Sequence, residues 1–417
     1  MIQRTILIVV AIGVIVLPLT VVTGGADPFR LPKELVFRGE AIVLLALLVL
    51  RGRSPWRSIA KWRPEFILAG AIVVWAMVVT ATSTNRALSI DSLITVIASA
   101  VIFIATCVAL ESRSLEAVDA LMIGCCVNAA ITVLQELGIW NPVTDTEGHY
   151  GSVGLMGNAN DVGTFLAVPA VAAVVMAVAS IGKRRWIYLG VSVLLVSGLI
   201  ASATRTALIA FVVSLLVLTI VQARRAVVAI GVVLLVVGLA VLSPATTIGR
   251  GVRELGEAAI QRDYQRLFSE RLLPFLAAGE MVRDHPVLGV GPGCFRYHFM
   301  AYRVALATKY PAQWTRGFPM NWGAVHNDHL QIAAETGVVG YLLFLLSLAL
   351  LARRSATGDI APRVVFARTL RWPLVTAIFT VCLAQFPLEL AAPRLMFLTL
   401  GAMCLTWDRT DVKSEGR

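Results

Sequence analysis

Uncharged apolar runs of membrane-crossing length recur along this chain, and they constrain its fold more than anything else in the sequence. About 20 apolar residues carry a helix across a bilayer, and within hydrocarbon only helices and closed barrels satisfy their own backbone hydrogen bonds. Twelve runs can be read, at roughly 5–22, 35–50, 66–81, 90–110, 117–137, 161–181, 186–201, 204–222, 226–243, 329–352, 364–385 and 391–406. Charged residues make up only 15% of the chain, against about 25% in soluble domains, so it lacks the polar surface to face water all round. The chain reads as an all-α polytopic membrane protein with about twelve transmembrane helices. The first run has a weak basic flank in Arg4 and no small-x-small cleavage pattern, so it reads as a retained span rather than a signal peptide.

Basic residues set the orientation. With the N-terminus cytoplasmic, the short inside connections carry 20 Lys and Arg and the short outside loops carry 4, the asymmetry expected from the positive-inside rule. Both termini are then expected in the cytoplasm. The formal net charge of +11 comes from these dispersed loop residues, which argues against a nucleic-acid partner. Six cysteines show neither disulfide-framework nor zinc spacing: Cys107, Cys125, Cys126, Cys382 and Cys404 lie in apolar runs and Cys294 in a polar loop.

One connection differs from the rest. The chain divides into nine spans (1–243), a long outer loop (244–325), three further spans (326–406) and a cytoplasmic tail (407–417). The loop has prolines, a turn at Gly289, Gly291 and Gly293, and Tyr264, Phe268, Phe275 and Met281 near helical spacing. Short amphipathic helices lying on the membrane surface are expected there. Loops of this length are usually functional. The Gly289–Gly293 turn lacks the Lys-Ser/Thr of a phosphate loop, and no helix start is evident after it.

Ionisable residues inside spans are costly and point to function by default. Arg38, Glu40, Arg205, Glu335, Glu389 and Arg394 all fall in outer halves or at outer ends of spans. The alternative is that the acids and bases among them pair with one another to hold helices together. Arg205 has no acid within one turn in sequence and opens an outward-starting helix, where the dipole favours an anion. In the long loop, Arg262 and Arg266 read as a solvated face, whereas Arg271, beside Phe268, Leu272 and Phe275, points towards the membrane. Lys33, in the first outer loop, is a candidate contact for lipid phosphate.

The most specific signal is His326-Asn327-Asp328-His329, followed by Glu335-Thr336-Gly337-Val338-Val339-Gly340, where the long loop re-enters the membrane. His329 lies one turn from His326 and is expected to share its face. Glu335 is expected to lie on the opposite face of a straight helix, too far away to orient His326. This stretch resembles the O-antigen ligase and polymerase superfamily, whose ligase branch has His-Asn, nine residues, then Gly-x-x-Gly. Gly157-Asn158-Ala159-Asn160, Ser202-Ala203-Thr204-Arg205 and the segment Arg271 to Phe295 look like further motifs of that family, in the same order.

The resemblance implies an inverting, metal-independent glycosyltransferase without a cofactor, in the bacterial inner membrane, with its active site facing the periplasm. The implied donor is a glycan on undecaprenyl diphosphate, and the acceptor in the ligase branch is the lipid A–core oligosaccharide. Carried over by motif, Arg205 and Arg271 bind the diphosphate and His326 acts on the acceptor hydroxyl. Arg38, Asn327, His329, Glu335 and Arg266 are possible supporting residues. Arginine grips phosphate through a planar, always-charged fork, and imidazole can take a hydroxyl proton near neutrality. Nearby arginines favour a neutral imidazole and a bound diphosphate favours the cation; the sequence leaves open which prevails. An acid-x-acid triplet at Asp145 and Glu147, beside His149, is the only hint of a metal route. A polymerase or a protein O-oligosaccharyltransferase would share the chemistry with a different acceptor. A solute transporter is the more distant alternative, disfavoured by charges gathered at one face and the lack of an internal repeat.

Overall fold

The computed structural model describes residues 2–24, 27–51, 63–110, 115–142, 152–221, 231, 237–239, 241–243, 246–311, 321–353 and 362–408. All regular structure among them is helical. In chain order the helices are α1 (Ile2–Val16, followed by a 3-10 turn at Leu17–Leu19), α2 (Arg30–Leu50), α3 (Arg63–Thr82), α4 (Arg86–Leu110) and α5 (Glu116–Glu136). Next come α6 (Ala159–Ala179), α7 (Gly182–Ala201), α8 (Arg205–Val221), α9 (Thr247–Ile260), α10 (Tyr264–Leu267) and α11 (Leu272–Asp284). The last four are α12 (Phe295–Lys309), α13 (Asp328–Ala352), α14 (Pro362–Cys382) and α15 (Ala391–Asp408).

Eight of these are long and apolar enough to cross a membrane: α1 with its 3-10 turn, α3 to α7, α13 and α14. The chain is thus a multi-pass membrane protein. Helices α8 and α15 are apolar but shorter, and α2 carries charges through its first half. Of the twelve expected spans, eleven coincide with a described helix. The ninth, 226–243, falls mostly outside the described residues, as do Asp145, Glu147 and His149.

Helix α6 is the central pillar, packed against α7, α8 and α14. Its Ala- and Val-rich sequence leaves almost no side chain exposed, because small residues let neighbouring backbones approach closely in the absence of a hydrophobic driving force between helices. Peripheral helices turn Ile42, Val49, Ile67, Val193 and Ile209 outwards, an apolar surface suited to lipid.

Contacts at both ends of the bundle show its up-and-down course. At one end, Gln3 Nε2 donates to the Val108 carbonyl (3.0 Å) and Arg184 pairs with Asp119 (2.8 Å). At the other end lie the starts of α2, α6, α8 and α13 and the turn between α14 and α15.

Between its turns the long connection forms α9 to α12. The spacing of Tyr264, Phe268, Phe275 and Met281 does not form one stripe, because Ser269 and Glu270 take positive φ (50° and 62°) and break the helical phase between α10 and α11. Tyr264 and Phe268 are exposed, whereas Met281 is buried with Leu273, Cys294, Phe295 and Phe299 in a second, smaller core. A helix does begin just after the glycine turn, contrary to expectation. It is α12, and the Glu335 carboxylate accepts from Gly293 N–H (2.8 Å), just ahead of its cap, and from Phe295 N–H (3.0 Å), its first residue.

That clamp explains the Gly-x-x-Gly motif. Helix α13 kinks at Gly337 (φ 69°, ψ −176°). The segment before α12 lies in the kink, with Val290 N–H on the Ala334 carbonyl (2.9 Å), Gly291 N–H on that of Glu335 (3.0 Å) and Val338 N–H on that of Pro286 (2.8 Å). A Cβ at Gly337 would overlap the Val287 carbonyl. Trp75 of α3 closes the other side, donating to the Thr336 carbonyl (2.9 Å).

Candidate functional site

Four sequence stretches, distant along the chain, converge at the end of the bundle where α2, α6, α8 and α13 begin. The turn before α6 has Gly157 at φ 78°, packed on the Phe29 ring. Asn158 caps α6 by accepting from Asn160 N–H (2.8 Å). The Ala159 carbonyl accepts from Thr204 Oγ1 (2.8 Å), which docks the Gly-Asn-Ala-Asn turn onto the Ser-Ala-Thr-Arg turn. Ala203 in that second turn is left-handed (φ 53°), and α8 starts immediately after it with Arg205.

Arg205 reaches back over the long connection. Its Nη1 donates to the Gly251 carbonyl (3.1 Å) and its Nη2 to Ser269 Oγ (2.9 Å). Arg271, just beyond the left-handed Ser269 and Glu270, does not point towards lipid: the break in helical phase turns it into the protein. There its Nη1 donates to the Ala384 carbonyl (2.6 Å), in the turn between α14 and α15. Burial, then the charge of Arg205, lowers the Arg271 guanidinium to about 10 against the opposing effect of Asp161. It remains a cation at neutral pH.

His326 stands in the same neighbourhood. Its backbone is left-handed (φ 59°), one residue ahead of Asn327, which caps α13 by accepting from Leu330 N–H (3.0 Å). The imidazole meets the ring of Phe386 (centroids 4.4 Å apart) and that of Trp322 (5.3 Å). Burial, then Arg271, then Arg30, push its pKa down to about 3. The ring is therefore neutral at physiological pH, and its Nδ1 is buried without a hydrogen-bond partner among the described residues. Burial and the two arginines thus favour the neutral ring, one of the two forms that the sequence left open.

The turn between α14 and α15 is the hub of this arrangement. Besides Ala384 and Phe386, Gln385 accepts Asp328 N–H on its carbonyl (3.2 Å) and its side chain donates to Asn160 (3.4 Å). Leu388 N–H closes the turn on the buried Asp328 carboxylate (2.9 Å).

Other candidate residues lie apart. His329 does not share a face with His326, because the helix begins only at Asp328 and His326 stands off it. His329 packs instead between α13 and α14, its Nε2 donating to the Phe379 carbonyl (3.1 Å) and its Nδ1 meeting the Tyr341 hydroxyl (3.2 Å). Glu335 is occupied with the start of α12, accepting from Gly293 and Phe295. Arg266 is exposed and pairs with Asp263 (3.6 Å). Lys33 is not available to lipid phosphate: its ammonium donates to the carbonyls of Thr20 (2.7 Å), Phe29 (3.1 Å) and Leu155 (2.8 Å), using all three protons.

Arg38 sits in an ion-pair network with Glu34 (3.0 Å) and Asp91 (2.6 Å), and Glu34 also takes Arg394 (3.0 Å). The pairing alternative therefore applies to Arg38 and Arg394, through acids that the sequence reading had not chosen. Glu40 is not among them; its carboxylate is buried against Gly13 with no hydrogen-bond partner among the described residues.

Sequence reasoning missed two residues of the cluster. Arg30, the first residue of α2, donates from Nε (3.0 Å) and Nη2 (2.9 Å) to Oδ2 of Asp161, and its guanidinium lies 5.3 Å from the Phe386 ring centroid. Asp161 follows the Gly-Asn-Ala-Asn turn directly, and that position was the available signal.

A bundle of membrane-spanning helices with an arginine-lined imidazole at one end defines the class: a polytopic membrane protein with a cationic cluster where α2, α6, α8 and α13 begin. Residues 190–345 match the O-antigen ligase family, whose members are membrane glycosyltransferase-like ligases and polymerases, and this match supports placing the chain in the O-antigen ligase superfamily. No curated protein matches the chain. The matched region includes Arg205, Arg271, His326 and both glycines of Gly-x-x-Gly, whereas Arg30, Asp161 and the hub turn lie outside it.

Proposed function

We propose that this protein is an O-antigen ligase, transferring a glycan from undecaprenyl diphosphate to a hydroxyl of the lipid A–core oligosaccharide at the periplasmic face of the bacterial inner membrane. The observation that carries this reading is the succession Arg205, Arg271, His326, in which Arg205 faces Arg271 and Arg271 faces an imidazole held neutral. In the reaction, the acceptor oxygen attacks the anomeric carbon from the face opposite the diphosphate. The carbon–oxygen bond to phosphate breaks, its electron pair stays on the phosphate, and configuration inverts.

Each group has a physical task. Arg205 and Arg271 stabilise the charge that develops on the departing diphosphate, which preorganised donors do most effectively. The unpartnered Nδ1 of His326 accepts the hydroxyl proton. A pKa near 3 makes the free imidazole a poor base, but a bound diphosphate offsets the guanidinium charge and moves the pKa back towards neutrality. Donor binding thus activates the base. The ligase is favoured over a polymerase because the sequence has one sizeable outer loop, where polymerases tend to have two.

Reconstitution tests this directly. Purified protein receives a defined undecaprenyl-diphosphate-linked glycan and, separately, lipid A–core, a second lipid-linked glycan or an acceptor protein. Glycan appearing on lipid A–core is the expected result. Transfer only to the second lipid-linked glycan would make it a polymerase, and no transfer to any acceptor would remove the reading.

A further inference from the structure

The region matched to the family supplies two arginines, yet a third guanidinium enters the same cluster from α2. Arg30 is tied at the back, Nε and Nη2 both donating to the same oxygen of Asp161. The carboxylate is almost wholly buried (4% exposed), whereas the Arg30 side chain is 47% exposed. Its Nη1 makes no hydrogen bond among the described residues, so one edge of the fork is free for a ligand. The Phe386 ring meets Arg30 (5.3 Å) and also His326 (4.4 Å), which puts this guanidinium on the imidazole side of the cluster, whereas Arg205 stands on the far side of Arg271.

The charges are unbalanced. Asp161 is the buried acid serving both Arg30 and Arg271, and Glu254, the acid facing Arg205, lies exposed on α9 where water screens it. Lys33 also faces Asp161, and Glu389 faces Arg30, so the cluster as a whole stays cationic, the complement of a dianionic diphosphate. An arginine held by a buried acid is also pre-organised, so its remaining donors lose little freedom on binding.

On the reading of the site given above, we propose that Arg30 is a third phosphate-binding residue, positioned by Asp161, which takes the sugar-side phosphate of the donor while Arg205 and Arg271 take the lipid-side phosphate. The sugar-side phosphate must lie nearest the base and the anomeric carbon, and it gains charge as the bond to the sugar breaks. Arg30 therefore contributes both to holding the donor and to the departure of the leaving group.

The test uses the full chain in nanodiscs and the double variant Arg30→Gln, Asp161→Asn, which removes both charges while keeping polar side chains and leaves no buried carboxylate alone. Arg30→Lys serves as the conservative variant. Binding of undecaprenyl diphosphate and of undecaprenyl monophosphate is measured, then transfer kinetics. The double variant should bind the diphosphate about tenfold more weakly, the size of one charge-assisted contact, while monophosphate binding stays put. Its donor KM should rise and kcat fall at unchanged acceptor KM, with Arg30→Lys intermediate. A folded double variant that keeps the wild-type preference for diphosphate over monophosphate overturns the proposal, as does a rise in acceptor KM alone. Failure of the wild-type protein to bind undecaprenyl diphosphate would remove the reading beneath it as well.

Discussion

His326 and His329, three positions apart in sequence, occupy different environments: one meets Phe386 beside the arginines, and the other is hydrogen-bonded to Phe379 and Tyr341 between two helices. The left-handed backbone of His326 and the cap at Asn327 produce this divergence. The two histidines should therefore fail differently. His326→Asn keeps a side chain tolerant of positive φ and should lower glycan transfer by about 10²–10⁴-fold, the usual worth of a general base, with little change in thermal stability. His329→Gln should lower the melting temperature and retain measurable transfer. Unimpaired turnover in His326→Asn would remove the proposed base.

The pH dependence follows from the same imidazole. In the free protein burial, Arg271 and Arg30 lower its pKa to about 3, so the neutral, proton-accepting form persists far below the ordinary histidine range. The acid limb of kcat/KM, which reports the free enzyme, should therefore show no loss attributable to His326 between pH 5 and 7 by about the normal pKa of 6.5. In the donor complex the diphosphate compensates Arg271 and Arg30, the pKa rises, and kcat falls as pH drops through the raised value. Profiles of kcat and kcat/KM across pH 4 to 8, on about this range of titration, check the sign. Coincident acid limbs would contradict donor-driven activation.

Arg271 is the least replaceable of the arginines. One of its nitrogens is spent on the Ala384 carbonyl, and lysine cannot make that contact and also present a fork to phosphate. Arg271→Lys should lower kcat/KM for the donor by about 10²-fold, the order of one lost transition-state donor. Arg205→Lys should recover little activity over Arg205→Ala for the same reason. Substitution of Arg266, exposed and paired with Asp263, should leave donor kinetics near wild type.

Much of this was legible in the sequence, for reasons that differ from residue to residue. Apolar runs announce helices because hydrocarbon permits so few alternatives, and all but the span at 226–243 coincide with described helices. Arg205 was readable from its place at a helix start without a neighbouring acid. Arg271 was identified by motif but pointed the wrong way, because the left-handed Ser269 and Glu270 interrupt the helical period on which its direction was judged. Arg30 gave no local signal: its meaning depends on Asp161, 131 positions away in sequence. The turn at Ala384–Phe386 was equally silent, since it contributes two backbone carbonyls, one amide side chain and an aromatic ring rather than an ionisable group.

The kink at Gly337 links the helix that follows His326 to the segment that follows Arg271, so it should control both stability and activity. Its φ of 69° with ψ of −176° is a region that essentially only glycine adopts, and a Cβ there would overlap the backbone carbonyl of Val287. That carbonyl belongs to a segment fixed by the Val290, Gly291 and Val338 hydrogen bonds, so it cannot yield cheaply. Gly337→Ala should cost about 2–4 kcal/mol, combining backbone strain with overpacking, and should depress transfer by disturbing the docked loop. Gly190→Ala, on α7, is the informative comparison, because there an added methyl meets nothing within 4 Å. Thermal unfolding of both variants in detergent should place Gly337→Ala well below Gly190→Ala, and equal stabilities would mean that the kink is not the rigid joint described.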